Sequence, residues 1–363
     1  MSNSHSIVVA LGTRPEIIKL APIIRLLGER ARVVHTGQHY DPGLSKVFFD
    51  AFGLPEPTYR LEIGGSTRAT QLGEATRLIG EHLASEPAAA VVVQGDTNTT
   101  AGAALAANAT ETPLVHIEAG LRSFDRAMPE EHNRIVTDML SDLCCAPTQV
   151  SEKNLLDSGI PADRIAVTGN TVVEAVRTLL PEDRSAYLEG HGVTANGYLL
   201  ATFHRPENVD DPETLGTILS ELAALELPTI LPIHPRTRAR IESFGLGDQL
   251  DRLMVVEPMG FQEFLALSAE CAALVSDSGG VQEEVSVLKR PVLVVRRSTE
   301  RPEVLGTFAE RVLPGPEISR IVGQWIADLP ALHGRLAAIP SPYGDGDAAE
   351  LSVTAINQLV GTS

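Results

Sequence analysis

The chain of 363 residues carries a formal net charge of −18 and consists of 43% hydrophobic and 21% charged residues. This composition is typical of a globular protein, and the length is sufficient for two domains that each bury a core. The excess of negative charge works against binding to a phosphate backbone, so nucleic acid is not expected as a partner.

Hydropathy and cysteine content indicate where the protein resides. No apolar run approaches the roughly 18 residues that a membrane-spanning helix needs, and the N-terminus lacks a basic segment followed by an apolar one. We therefore expect a cytoplasmic protein without a membrane partner. Because Cys144, Cys145 and Cys271 form no Cys-x-x-Cys pair, we expect buried thiols rather than disulfides or metal ligands.

The first half of the chain alternates β-branched runs with helical patterns, as in a parallel sheet covered on both faces. The first predicted strand, residues 6–11, leads through Gly12 and Thr13 into a helix that carries Arg14 and Lys19 in its first two turns. Both cations can therefore point at the carboxyl ends of the strands. The further predicted strands are residues 32–36, 58–63, 89–94, 113–117, 143–146 and 165–168.

The pattern starts again near Gly169, and residues 181–196 are polar and irregular, as in a linker. The strands predicted after it are residues 197–203, 228–233, 253–257, 272–276 and 291–295. We therefore predict an α/β protein with two Rossmann-like, doubly wound parallel-sheet domains, residues 1–170 and 171–363, facing a central cleft. The last helix is expected to cross back to the first domain.

A glycine turn in the second half is the strongest local signal. Asp277-Ser278-Gly279-Gly280 follows the apolar run 272–275 and precedes a helical pattern, which predicts strand, turn and helix. Glycines allow close approach of the backbone, and the first N–H groups of a helix can bind a phosphate. A diphosphate suits this turn, and Glu283 or Glu284, expected in the first helical turn, could reach sugar hydroxyls. A plain helix N-terminus is the alternative reading.

Polar residues cluster at the other predicted strand ends. Each has an ordinary explanation when taken alone, such as a helix cap or a loop charge. Taken together, three carboxylates in one domain and several cations with a glycine turn in the other predict acid/base chemistry on a diphosphate-linked substrate. The carboxylates are Asp96, Glu118 and Glu130, and the cationic positions include His204, Arg205, His234 and Arg301.

At this point the chain resembles a known family, the non-hydrolysing UDP-N-acetylglucosamine 2-epimerases. The ordered segments that carry the resemblance are GTRPEIIKLAP, QGDT, HIEAGLRS, PEEHNR, TGNT, HRPEN, DSGGVQEE, TERPE and SPYGDG. The resemblance implies a glycosyltransferase-B-like fold and interconversion of UDP-N-acetylglucosamine with UDP-N-acetylmannosamine. It also implies a UDP-sugar as the substrate and a homodimer as the assembly.

The chemistry can be reconstructed beside that resemblance. The C2 hydrogen of such a sugar has no adjacent carbonyl, so direct deprotonation would give an unstabilised carbanion. Oxidation by a nicotinamide is disfavoured because neither domain opens with G-x-G-x-x-G. Elimination of UDP to a 2-acetamidoglucal, followed by re-addition, needs no cofactor and no metal. It needs two differently placed carboxyl groups and cations at the leaving diphosphate.

The resemblance assigns roles position by position. It implies acid/base roles for Asp96, Glu118 and Glu130, leaving open which is the base, and it places His204 beside the leaving diphosphate. Ser278, Gly279 and Gly280 match the diphosphate turn, Glu284 matches a ribose contact and Phe264 a uracil contact. The full substrate-binding set that we expect is Arg14, Lys19, His234, Phe264, Ser278, Gly279, Gly280, Glu284 and Arg301.

Many members of the family carry a second, activating nucleotide-sugar site. Its matching residues here are Gln38, Arg77, Glu131 and Arg205, but Asp41 stands where a second glutamine is expected. Because a carboxylate repels a diphosphate, we expect hyperbolic kinetics without activation by UDP-N-acetylglucosamine.

Three other functions remain open at this stage. A glycosyltransferase of the same fold would use the diphosphate turn without needing three carboxylates, and an acceptor-dependent transfer assay distinguishes it. A hydrolysing epimerase would release free N-acetylmannosamine. A non-catalytic nucleotide-sugar sensor would have no need of proton donors.

Overall fold

The computed structural model describes residues 5–38 and 42–361 of the chain. It divides into two compact units, one formed by Met1–Thr178 with Tyr343–Ser363 and the other by Leu179–Pro342. We call them the first and the second domain.

The first domain is built on a parallel sheet of seven strands in the order β3-β2-β1-β4-β5-β6-β7. Its core strands are apolar on both faces, because helices cover both sides of the sheet. The strands are β1 (Ile7–Leu11), β2 (Ala31–His35), β3 (Tyr59–Arg60), β4 (Ala90–Gln94), β5 (Leu114–Ile117), β6 (Leu143–Ala146) and β7 (Ile165–Val167).

The helices of the first domain come from both ends of the chain. They are α1 (Arg14–Leu27), α2 (Pro42–Ala51), α3 (Arg68–Ser85), α4 (Asn98–Ala109), α5 (Pro129–Leu140), α6 (Gln149–Asp157), α7 (Val172–Leu179) and, after the whole second domain, α16 (Ala348–Val360). One buried cluster of this domain brings Val8 and Val91 of the sheet together with alanines of α4 and Ile79 of α3.

The second domain repeats this topology with six parallel strands in the order β10-β9-β8-β11-β12-β13. The strands are β8 (Leu199–Thr202), β9 (Thr229–Pro232), β10 (Met254–Val256), β11 (Ala273–Ser276), β12 (Val292–Val295) and β13 (Ala309–Val312). Its helices are α8 (Ser185–Gly190), α9 (Pro206–Val209), α10 (Pro212–Ala223), α11 (Pro235–Phe244), α12 (Phe261–Glu270), α13 (Gly279–Leu288), α14 (Glu317–Ala327) and α15 (Leu329–Ala338).

The predicted fold class is confirmed: the chain is α/β, with two doubly wound parallel sheets. Counted along the chain, the second sheet has the strand order 3-2-1-4-5-6, which is the Rossmann order, and the first sheet has the same order with a seventh strand added beside the sixth. Two details differ from the prediction. A short helix, α8, lies within the expected linker. The second sheet also has an edge strand that was not predicted, β13, whose sequence Ala-Glu-Arg-Val lacks an apolar run.

The limits of the domains also differ from those read from the sequence, which divides the chain at residue 170. In the structure α7 belongs to the first unit as far as Thr178, as does the segment after residue 342. Hydrogen bonds explain this grouping. The amide of Asn170 donates to the Tyr343 carbonyl at 2.9 Å, and the amide of Ala349 donates to the Glu174 carboxylate at 2.7 Å. The returning segment is thereby attached to the start of α7.

Within residues 5–38 and 42–361, no helix combines the length and the hydropathy that crossing a membrane demands.

Candidate active site

The strand order places the predicted site residues at equivalent positions in the two domains. In the first domain β1 and β4 are neighbours at the point where the strand order reverses, and β5 follows. In the second domain β8, β11 and β12 occupy the same three positions. Ligands of open α/β sheets bind at the carboxyl ends of such strands. The loops after these strands therefore define one candidate cluster in each domain.

Glu118, directly after β5, is a strongly constrained carboxylate of the first domain. Its backbone has a φ of 67°, a left-handed conformation that costs a non-glycine residue about 1–3 kcal/mol. The side chain is buried and pairs with Lys19 of α1. The side-chain NH₂ group of Asn170 donates to the same carboxylate oxygen at 2.9 Å. A strained backbone that carries a buried, cation-paired carboxylate is typical of a functional position.

Asn170 was not singled out from the sequence, although it lies in the TGNT segment. Its amide N–H donates to the Tyr343 carbonyl, and its side-chain oxygen accepts from the Val172 amide at 3.0 Å. The side chain is therefore fixed from both sides, and the segment that returns from the second domain helps to hold it against Glu118.

Asp96 follows β4 and is held by helix α5. The Asp96 carboxylate pairs with Arg134, and 29% of the Asp96 side chain is exposed. The Asn133 side chain donates to the Asp96 carbonyl at 2.9 Å. Two neighbouring residues of the PEEHNR segment thus fix the backbone and the carboxylate of Asp96. The PEEHNR segment was the signal that could have identified Asn133 and Arg134, but only its two glutamates were predicted as site residues.

Glu130 and Glu131 are adjacent in the first turn of α5, but their environments differ. Glu130 is exposed. Glu131 is buried and accepts hydrogen bonds from the amides of Ser123 and Phe124, at 2.9 and 3.0 Å, and from Arg134 at 2.8 Å. Its carboxylate therefore holds the loop after Arg122 in place, whereas Glu130 faces solvent.

A buried charge network lies between the loops that carry Asp96 and Glu118. The ring of His116 contacts the Asp138 carboxylate at 2.7 Å through Nδ1 and the Gly95 carbonyl at 2.8 Å through Nε2. Arg122 pairs with the other Asp138 oxygen at 2.6 Å. Burial raises the pKa of Asp138, but the charge and hydrogen bond of His116 together with Arg122 outweigh it and leave that pKa lowered. The sequence offered no separate signal for this network.

The remaining first-domain predictions lie around α1, α3 and α4. The guanidinium of Arg14 stacks over the Phe48 ring, 5.3 Å from its centroid. Gln38 accepts from the amide and the hydroxyl of Thr99 at 2.8 and 2.9 Å, so it caps the start of α4. Arg77 is exposed on α3 and pairs with glutamates of its own helix, Glu74 and Glu81. Asp41 lies outside the described residues.

In the second domain the glycine turn opens α13. Ser278 is the N-cap residue, and its hydroxyl makes no capping hydrogen bond. The helix begins at Gly279, so Glu283 and Glu284 lie in its second turn, not in the first turn as the sequence predicted. The first turn therefore contains no acidic side chain that would compete with an anion for its N–H groups.

Arg301 lies directly beneath this turn. A Cβ atom added to Gly279 would come within 2.7 Å of the Arg301 guanidinium, which explains the glycine at this position. Arg301 is buried and pairs with Glu283 at 2.7 Å and with Glu300. The Arg296 guanidinium contacts the other Glu300 oxygen at 3.0 Å. Glu283, Glu300 and Arg296 thus form a buried network that holds Arg301. Glu300 and Arg296 had no role predicted from the sequence, and Glu283 pairs with Arg301 here.

His204 and Arg205 follow β8, next to the glycine turn after β11. The His204 ring lies 3.1 Å from the Asp277 carboxylate through Nδ1, and Arg205 donates to the Asp277 carbonyl at 2.9 Å. The ring centroids of His204 and His234 are 5.9 Å apart. Phe264 is half-buried on α12, and no described contact joins it to this group. The structure thus brings His204, Arg205, His234 and the glycine turn together.

The three cysteines are thiols. Cys144, Cys145 and Cys271 are free and buried, as predicted, and burial raises the pKa of Cys145 and Cys271 to about 12. In the part of the chain that the structure describes, no group of three or more His, Cys, Asp or Glu side chains is arranged to hold a metal ion.

Comparison with known families gives a match over most of the chain. The family model described as UDP-N-acetylglucosamine 2-epimerase matches residues 28–357. The UDP-N-acetylglucosamine 2-epimerase of Methanocaldococcus jannaschii is 40% identical over 357 residues, which cover 94% of this chain and 96% of that protein. The UDP-2,3-diacetamido-2,3-dideoxy-D-glucuronate 2-epimerase of Pseudomonas aeruginosa is 37% identical over 344 residues, covering 90% and 95%.

Solved structures show the same likeness. The crystal structure of the Methanocaldococcus jannaschii UDP-GlcNAc 2-epimerase in complex with UDP-GlcNAc and UDP matches with a TM-score of 0.86 and 38% identity. The match covers 97% of this chain and 99% of that one. Together with the two parallel-sheet domains, this likeness supports a glycosyltransferase-B-like fold.

Proposed function

The chain belongs to the UDP-N-acetylglucosamine 2-epimerase family of enzymes, and from this premise we propose that it interconverts UDP-N-acetylglucosamine and UDP-N-acetylmannosamine without hydrolysis. The observation that carries the proposal is the environment of Glu118. A buried carboxylate on a left-handed backbone, held by Lys19 and Asn170, is suited to exchanging a proton with a sugar carbon.

The proposed route is elimination followed by re-addition. A carboxylate takes the proton from C2, the C2–H electron pair forms the C1=C2 bond, and the bond from C1 to oxygen breaks so that UDP leaves with its electron pair. A second carboxylic acid then delivers a proton to the other face of C2 while a UDP oxygen re-forms the bond to C1. The intermediate is 2-acetamidoglucal, and the sequence of steps consumes no cofactor.

We assign proton transfer to the first domain. Glu118, Asp96 and Glu130 are the candidate acid and base groups, and their environments support different tasks. Glu118 is buried beside a lysine, Asp96 is partly exposed beside an arginine, and Glu130 is exposed. Groups in different environments can hold different protonation states at one pH, as a reaction with one acid and one base requires. Arg14 and Lys19 are proposed to contact the sugar or the phosphates.

We assign diphosphate binding to the second domain. The N–H groups at the start of α13, the Ser278 hydroxyl and His204 would stabilise the negative charge that develops on the leaving UDP. Glu284 is proposed to contact the ribose and Phe264 the uracil, with His234 and Arg301 completing the site. Arg301 is buried under Gly279, which supports a role in shaping the turn as well as in attracting the anion.

Solvent exchange tests the reaction route. The full chain is incubated with UDP-N-acetylglucosamine in heavy water, without nicotinamide, and the sugar protons are followed by NMR. The epimer formed should carry deuterium at C2, and glycal and UDP should accumulate slowly on long incubation. Epimer that retains its C2 hydrogen throughout would contradict the elimination route.

The identity of the sugar needs a separate test, because a relative of similar identity is named for a different UDP-sugar. UDP-N-acetylglucosamine and UDP-2,3-diacetamido-2,3-dideoxy-D-glucuronate are assayed side by side with the same enzyme preparation. We expect the higher kcat/KM with UDP-N-acetylglucosamine. The reverse order would reassign the substrate while leaving the C2 chemistry in place.

Homodimer formation and a cytoplasmic location are also proposed. The dimer is supported by an exposed apolar face on α5, formed by Ile135, Val136 and Met139. Side chains three or four residues apart on a helix are neighbours, so these three form one surface. Light scattering coupled to size-exclusion chromatography should give twice the chain mass, and Met139→Glu should shift it toward the single chain. A wild-type mass of one chain would remove the proposal.

A further inference from the structure

Asp277, which directly precedes Ser278 of the glycine turn, accepts hydrogen bonds from several donors of the loop after β8. Its carboxylate accepts from the backbone amides of His204 and Arg205, at 3.1 and 3.0 Å, and from the Asn208 side chain at 3.1 Å. The fourth group is the His204 ring, whose Nδ1 lies 3.1 Å from the other carboxylate oxygen. The proposed function gives this residue no role.

The Asp277 carboxylate is an anion at neutral pH. It is fully buried, and burial raises its pKa. The hydrogen bond and charge of His204, with the donors on Arg205 and Asn208, outweigh that effect and leave the pKa lowered. Asn208 is itself fixed, because it also donates to the Val295 carbonyl at 2.9 Å. The negative charge therefore sits at a fixed place beside one edge of the His204 ring.

A carboxylate at Nδ1 has two effects on an imidazole ring. It keeps a proton on Nδ1 and fixes the plane of the ring, and its charge favours a second proton on Nε2. Nε2 lies on another edge of the ring, and 39% of the His204 side chain is exposed. A buried anion thus holds one edge of the ring, while the side chain as a whole keeps a partly exposed surface that a ligand can approach.

We infer that Asp277 is a positioning residue for His204, which it holds as a doubly protonated imidazolium whose Nε2–H donates to the departing diphosphate. This rests on the proposed function for the task of His204. Because Ser278 follows Asp277 directly, the same residue also links the His204 loop to the glycine turn. The two groups proposed to meet the diphosphate therefore share one support.

Turnover measurements separate positioning from simple support of the loop. Asp277→Asn keeps the shape of the side chain and can still accept from the backbone amides, but it removes the charge. We expect kcat to fall about 10²-fold, with KM within about threefold of wild type, because the interaction is made mainly in the transition state. Asn208→Ala removes another donor of the same loop without touching the contact between Asp277 and His204, and it should lower kcat much less.

A double variant tests whether the two residues act as a unit. His204→Gln with Asp277→Asn should be no slower than His204→Gln alone, within about threefold, because groups that act together are not additive. The inference would be overturned if the two single losses in kcat multiplied in the double variant, or if Asn208→Ala lowered kcat as much as Asp277→Asn. Asp277 would then have a structural role only.

The protonation state of His204 gives a readout that does not depend on turnover. The protein labelled with ¹⁵N-histidine is examined by NMR with UDP bound, and the His204 signal among the 10 histidines is identified by its loss in His204→Gln. Wild type should show protons on both ring nitrogens, and Asp277→Asn on one. A neutral His204 in wild type overturns the inference, even where Asp277→Asn fails to fold. If the enzyme does not epimerise the sugar at all, the proposed function fails while this spectrum still decides the pairing.

Discussion

The two candidate clusters occupy the same three strand ends of two sheets with the same strand order, yet their charges are arranged in opposite ways. In the first domain cations hold carboxylates in place, as Lys19 does for Glu118 and Arg134 for Asp96. In the second domain buried carboxylates hold cations, as Asp277 does for His204 and Glu300 for Arg301. One topology thus supports two sites of opposite character.

The difference follows from the tasks proposed for the two domains. The groups proposed to exchange protons are carboxyls, and at Glu118 and Asp96 a neighbouring cation fixes the orientation of the carboxylate and stabilises its ionised form. A group that stabilises a leaving diphosphate must be a donor or a cation, and a buried anion keeps it charged and oriented. The residue that supports the functional group is therefore a cation in the first domain and an anion in the second.

The largest expected effect tests the first half of this comparison. Glu118→Gln keeps the shape of the side chain but cannot exchange a proton with C2, so turnover should fall by about 10²- to 10⁴-fold. The dissociation constant of UDP, measured by calorimetry, should stay near the wild-type value. Glu111→Gln is a matched control, because Glu111 also has a left-handed backbone, with a φ of 55°, but is exposed. Near-normal turnover in Glu118→Gln would remove Glu118 from the mechanism.

The next effect concerns the buried support of the first cluster. Asp138→Asn leaves His116 and Arg122 without their anion and should cost about 3–5 kcal/mol of unfolding free energy at pH 7. The folded-state pKa of Asp138 is lowered, so its contribution is present above the unfolded pKa, near 3.9, and is lost as pH falls through the lower folded value. The free energy of unfolding, measured with urea from pH 7 to pH 3.5, should therefore be lower for Asp138→Asn than for wild type. This difference should narrow only below about pH 4.

A control keeps that measurement specific. Asp157 pairs with Lys153 on the exposed surface of α6, and Asp157→Asn should leave the unfolding free energy unchanged at every pH. A difference between wild type and Asp138→Asn that stays constant down to pH 3.5 would contradict the proposed role of the Asp138 charge.

A smaller effect tests the second domain. The Cβ of Gly279→Ala would come within 2.7 Å of the Arg301 guanidinium, whereas at Gly280 the nearest atom, a carboxylate oxygen of Glu284, lies at 3.5 Å. Gly279→Ala should lose about 1–3 kcal/mol of stability, and UDP should bind more weakly. Gly280→Ala should be neutral or slightly stabilising in thermal unfolding, since alanine is the better helix former. Equal thermal stability of the two variants would show that the approach to Arg301 is not limiting.

The smallest effect compares two exposed arginines. Arg77 on α3 and Arg320 on α14 are each about half exposed and pair with side chains of their own helix. Neither Arg77→Ala nor Arg320→Ala should measurably change the melting temperature, because exposed pairs contribute little. Because we expect no activation by a second nucleotide sugar, neither variant should alter the dependence of rate on nucleotide-sugar concentration. A change in Arg77→Ala alone would contradict that expectation and assign Arg77 to a second site.

The sequence was a good guide wherever short-range signals agree. Apolar runs predicted twelve of the thirteen strands that the described residues form, because buried parallel strands need continuous apolar residues. The missed strand, β13, is an edge strand whose Ala-Glu-Arg-Val sequence carries two charges, so its pairing with β12 decides its conformation. Motifs likewise identified the loops that carry Glu118, His204 and the glycine turn.

By itself the sequence determined the two parallel sheets, the strand ends that carry polar residues and the family to which the chain belongs, since these depend on local pattern and residue order. Only the tertiary structure decided which side chains stand behind the functional ones. Asn170 reaches Glu118 across 52 residues, Asp138 reaches His116 across 22, and Asp277 reaches His204 across 73. Such partners depend on which strands become neighbours in the sheet, and no local pattern encodes a contact between segments that are distant along the chain.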